Sequence, residues 1–97
     1  MAYEIIWLPK AEQRYEQIIE WLYENWTARE IENFVARTDE ILELISISPE
    51  IFRVSERKNI RQVVITKHNT LLYRKKGKII ELITFFDTRQ KPNKKFK

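Results

Sequence analysis

Cysteine is absent from this chain. Its absence excludes disulfides and removes thiolates as metal ligands. With a single histidine as well, a structural zinc site lacks its usual donors, and no metal or other cofactor is expected. One glycine in 97 residues argues against a loop-rich scaffold. No apolar run approaches the ~20 residues that cross a bilayer. No basic stretch leads into a signal-length apolar segment behind Met1. The expectation is therefore a soluble, cytoplasmic protein without a membrane partner.

What remains is enough for one folded unit. A chain of 97 residues with 43% hydrophobic residues and three tryptophans can bury about two-thirds of its unfolded surface around a single core. One domain over residues 1–97 is expected, with the Lys-Pro-Asn-Lys-Lys-Phe-Lys tail over 91–97 lying on the surface or fraying. Charge is sorted along it. Through Glu50 there are four Lys/Arg against eleven Asp/Glu, a net −7, and from Ile51 onward fourteen against three, a net +11. This split predicts an acidic scaffold in the first half and a polyanion-facing surface in the second.

Periodicity gives the elements. Tyr3 to Leu8 is short, aromatic and β-branched, and Pro9 stops it, which reads as a strand. Ala11, Tyr15, Ile18 and Leu22 then recur at helical spacing, with Ile19 and Trp26 widening the stripe, over about Lys10 to Asn25. Thr27 followed by Glu30 is the capping-box pattern, so a second helix starts at once, with Ile31, Phe34, Val35, Ile41, Leu42 and Ile45 as its apolar face. Ser48 before Pro49 ends it.

Three β runs follow: Ile60 to Lys67, Thr70 to Lys76, and Ile79 to Asp87, with turns at His68-Asn69 and Gly77-Lys78. In the last run strict alternation sets Ile80, Leu82 and Phe86 on one face and Ile79, Ile83 and Phe85 on the other, as in an interior strand covered on both sides. The fold class is α+β, in the order β-α-α-β-β-β, with a helical hairpin packed on an antiparallel sheet.

This order, together with Trp7 closing the first strand, the stretch Thr70-Leu71-Leu72-Tyr73-Arg74, and the ending Phe86-Asp87-Thr88-Arg89-Gln90-Lys91-Pro92, resembles the RelE/ParE family of bacterial toxins. The resemblance implies a growth inhibitor held silent by a cognate antitoxin protein. It implies one of two targets: the ribosome, where RelE-like members cut mRNA, or DNA gyrase, which ParE-like members poison. An inert, antitoxin-binding member is the third reading. Fold alone does not choose.

RNA cleavage through the 2′-hydroxyl needs a proton acceptor, cations for the developing charge and a donor to the leaving oxygen. Arg89 stands where the family's nucleases keep an arginine after the last strand, Arg61 supplies a second cation, and His68 is the sole imidazole available for proton transfer near neutral pH. Against this, Thr70 stands where those nucleases carry an arginine, and Lys95 and Phe96 where they carry a tyrosine or histidine. These departures tilt the expectation to gyrase.

Arg53, Arg57, Lys67, Arg74, Lys94 and Lys95 are the candidate target contacts. Trp21 and Trp26 are candidates for an exposed aromatic patch that an antitoxin would cover. Glu12, Glu16, Glu20 and Glu24 at four-residue spacing read as a solvent face.

Overall fold

The computed structural model describes residues 2–57 and 59–87; Arg89, Lys94 and Lys95, and with them the tail, lie outside the described residues. Strand β1 spans Glu4–Trp7, helix α1 Pro9–Asn25, helix α2 Ala28–Ile47, and strands β2, β3 and β4 span Arg61–Thr66, Asn69–Lys76 and Ile79–Asp87. The order matches the sequence reading.

Local chemistry sets these boundaries. Pro9 occupies the first turn of α1, where its missing N–H costs nothing. Only Trp26 and Thr27 separate the helices. Thr27 and Glu30 close the capping box, the Thr27 backbone N–H and hydroxyl both donating to Glu30 Oε1. That hydroxyl contact is the main cause that holds the Glu30 carboxyl below the usual range. On α2 the buried residues are Phe34, Thr38, Ile41 and Ile45. Thr38 is admitted to this apolar stripe because its hydroxyl donates to the Phe34 carbonyl one turn back, at 2.8 Å.

The sheet order is β1-β4-β3-β2, so β4 is interior as expected. Its character is mixed. β2, β3 and β4 form an antiparallel meander, while β1 runs parallel to β4, with Ile5 opposite Ile80 and Trp7 opposite Leu82. The helical hairpin is the long crossover that a parallel neighbour requires.

The facing of β4 departs from strict alternation. Leu72 pairs with Thr84 but Tyr73 with Leu82, so Ile83 is an extra residue. Beyond that bulge the faces exchange: Ile80, Leu82 and Phe85 enter the core, whereas Phe86, expected beside Ile80 and Leu82, is only half-buried. Phe85 then completes an aromatic cluster, with ring centroids 5.9 Å from Trp7, 5.5 Å from Tyr15 and 6.3 Å from Phe34. Burying a phenylalanine ring this fully contributes about 1.5–3 kcal/mol.

The helices cover one sheet face, where Val63, Ile65, Leu71 and Tyr73 also lie buried. The opposite face carries Gln62, Val64, Leu72, Arg74 and Glu81 by alternation and register. Among the described residues no helix is long and apolar enough to cross a membrane.

Candidate functional site

The sheet has two ends with different chemistry. At one end β2 begins and the β3–β4 turn closes. Arg61 pairs with Tyr73, two residues before Lys75, and the segment ahead of β2 lies alongside it, with Val54 bridging Arg61 and the Gln62 N–H donating to the Arg53 carbonyl at 3.0 Å. Arg53, Arg57, Lys75, Lys76 and Lys78 are all exposed and collect at this end. Lys75 Nζ stands 5.4 Å from the Tyr3 ring centroid. The Tyr3 N–H donates to Ser46 O at 2.7 Å, which brings in the C-terminus of α2, whose dipole favours nearby cations.

The cations therefore gather on an end of the sheet rather than across its open face. On that face Arg74 is half-buried and paired, its Nε 2.7 Å from Glu81 Oε1. Lysines 75, 76 and 78 were not among the sequence candidates; their run around Gly77 is the signal that marks them, and the register sets them toward the same end as Arg53 and Arg57.

Arg61 is held by its own chain. Nη1 donates to the Phe52 carbonyl at 2.7 Å and to the Glu50 carbonyl at 3.4 Å. Beside it Tyr73, fully buried, donates its hydroxyl to the Pro49 carbonyl at 2.8 Å. Burial pushes the Tyr73 phenol up to about 12, with the Arg61 charge and the Phe52 backbone pulling the other way. These two strand residues fasten the segment between α2 and β2.

At the other end of the sheet, Lys67 and His68 form the two-residue turn between Thr66 and Asn69, one position earlier than the sequence indicates. Arg61 thus begins β2 and His68 lies in the turn past its far end, the five residue steps from Arg61 to Thr66 at about 3.3 Å each spanning roughly 16 Å. Thr70, at the position where nuclease members keep an arginine, is 3% exposed.

Also at this end, a cleft of about 480 Å³ opens between α1 and the ends of β3 and β4. Arg14, Gln17, Ile18, Trp21 and Leu22 supply the helix wall, and Asn69, Phe85, Phe86 and Asp87 the sheet wall. The sequence marked Asn69 only as a turn residue and gave Arg14 no role. Past the cleft, Trp21 and Trp26 are 39% and 53% exposed with ring centroids 6.5 Å apart, an aromatic pair at the surface. Glu12, Glu16, Glu20 and Glu24 are exposed, as a solvent face requires. No group of three or more His, Cys, Asp or Glu among the described residues is arranged to hold a metal ion.

This architecture is found in solved toxin structures. Over 89% of this chain and 96% of the other it superposes on the chromosomal ParDE toxin–antitoxin system of P. aeruginosa, with a TM-score of 0.74 at 17% identity. Against the YoeB dimer of Staphylococcus aureus the TM-score is 0.64 at 15% identity, covering 89% and 97% of the two chains. Against the YoeB/ParE toxin of Agrobacterium tumefaciens it is 0.63 at 13% identity, covering 87% and 96%. No curated protein matches in sequence. The class is that of the type II toxins. More specifically, residues 5–92 match the family of ParE toxins of the type II toxin–antitoxin system parDE, and the chain belongs to that family. It is the toxin member of a toxin–antitoxin pair, and a cognate antitoxin is its partner.

Proposed function

We propose that this toxin acts in the cytoplasm by binding and inhibiting DNA gyrase, and that it does not cut mRNA. The observation that carries this reading is the separation of Arg61 from His68 along β2, with Arg61 already engaged by the Phe52 and Glu50 carbonyls. A cleavage centre needs its cation and proton-transfer group within about 3 Å of the reacting atoms. Family membership supports the same reading, because the ParE-like branch of the resemblance is the one tied to gyrase. Arg53, Arg57, Lys75, Lys76 and Lys78 offer the target a cationic end, and Trp21 and Trp26 offer the antitoxin an aromatic surface.

The test induces the chain without antitoxin and follows ribosome-bound transcripts alongside plasmid supercoiling by gyrase. Intact transcripts with blocked supercoiling are expected. Transcript cleavage that disappears in Arg89→Ala overturns the proposal and establishes the nuclease.

A further inference from the structure

Asn69 carries a buried polar atom without a partner among the described residues. The residue is 6% exposed, its Nδ2 donates to Thr66 Oγ1 at 3.0 Å, and its Oδ1 is buried without a hydrogen-bond partner among the described residues. Buried acceptors in native proteins are almost always satisfied, so Oδ1 calls for a donor that the described residues do not supply. Because the Thr66 hydroxyl both donates and accepts, exchanging the amide O and N leaves the other atom open instead. A peptide group, with one N–H and one C=O, satisfies either arrangement.

Asn69 lines the cleft beside α1. Ile18, Leu22 and Phe85 give the same cleft apolar walls. Arg14 also lines the cleft, is half-buried and forms no ion pair among the described residues. We propose that this cleft is the docking site for a segment of the cognate antitoxin that sets an apolar side chain between α1 and β4, a carboxylate on Arg14 and a backbone peptide group on Asn69. The inference rests on the toxin–antitoxin reading and assigns to it a place and a recognition code.

Peptide chemistry fits better than nucleic acid here. The Glu12, Glu16, Glu20 and Glu24 series is exposed along the same helix, and Asp87 lines the sheet wall. A phosphate backbone would bring a negative charge at every residue into that field, whereas a peptide can place its single carboxylate at Arg14.

The test is calorimetric titration of the full chain with the full-length antitoxin, identified as the protein whose co-expression restores growth. Arg14→Glu is expected to weaken binding at least tenfold and Asn69→Leu about fivefold, with amide exchange slowed by antitoxin over residues 14–22 and 85–87. Arg14→Glu lies on the helix surface and keeps the test valid should Asn69→Leu fold poorly. If no co-expressed protein restores growth or binds the wild type, the toxin–antitoxin reading fails. If the wild type binds and the folded variants bind within twofold of it, that reading stands and the cleft assignment is overturned. Protection of the same residues by self-association without antitoxin, or by an RNA oligonucleotide, also overturns it.

Discussion

Replacing Arg61 by alanine separates a structural cation from one that grips a target. The side chain spans nine residues of sequence to reach the Phe52 carbonyl at 2.7 Å, a charge-assisted bond from a half-buried guanidinium, and its second contact, to the Glu50 carbonyl at 3.4 Å, is long and adds little. A hydrogen bond to a charged group contributes about 1.5–3 kcal/mol, and partial exposure places this one near the lower figure. At a slope of about 4–8 °C per kcal/mol for a domain of this size, Arg61→Ala should melt about 6–12 °C below the wild type. Arg61→Lys should recover only part of that, since an ammonium lacks the planar fork. Calorimetry at neutral pH reads both. An alanine variant that melts within about 2 °C of the wild type while growth inhibition disappears would refute the reasoning and return Arg61 to the target-binding surface.

Tyr73→Phe removes the bond to the Pro49 carbonyl and should cost about 1 kcal/mol in urea denaturation at pH 8. The same substitution should flatten alkaline denaturation. With the folded phenol pushed up to about 12 and the unfolded one near 10, the stabilisation is complete below about pH 10 and is lost as pH rises through 12, on the order of 2–3 kcal/mol. An unchanged urea midpoint difference between pH 8 and pH 11 on removing Tyr73 would refute this assignment. Gly77 has φ +63° at the first position of the β3–β4 turn, with open space where a Cβ would stand. Gly77→Ala should therefore cost about 1–2 kcal/mol from the backbone alone, measured as a lowered urea midpoint, and a neutral result would show that the turn can change its type.

The fold was legible wherever information is local. Helix starts follow from Pro9 and the Thr27–Glu30 box, and β4 was found to its last residue because six of its nine residues are β-branched or aromatic. Features that depend on a partner strand were not. The Ile83 bulge exists only as a mismatch of register between β3 and β4, so alternation along β4 assigned Phe85 and Phe86 to the wrong faces. The parallel placement of β1 depends on where the hairpin returns the chain. Site residues divide in the same way. The arginines and lysines were visible as residue types, but the carbonyls that hold Arg61 and the carboxylate that holds Arg74 are set by tertiary structure. Asn69 reads in sequence as a turn former and becomes a site candidate only once its amide is found buried with an open atom.

The two ends of the sheet together constrain how neutralisation can work. Strand β3 has eight residues, and its seven steps at about 3.3 Å each set the cleft beside Asn69 about 23 Å from the cationic end near Lys76. An antitoxin segment confined to the cleft leaves Arg53, Arg57 and the β3–β4 turn open to a target. To silence a toxin that acts through those cations, the segment must run the length of the sheet, which takes about seven extended residues or about 15 helical ones. A carboxylate for Arg14 at one end and further acidic residues at the other would match the charge along that path. Truncating the antitoxin below this length should therefore keep binding but lose protection, whereas full protection by a cleft-length peptide would place the inhibitory surface at the cleft itself.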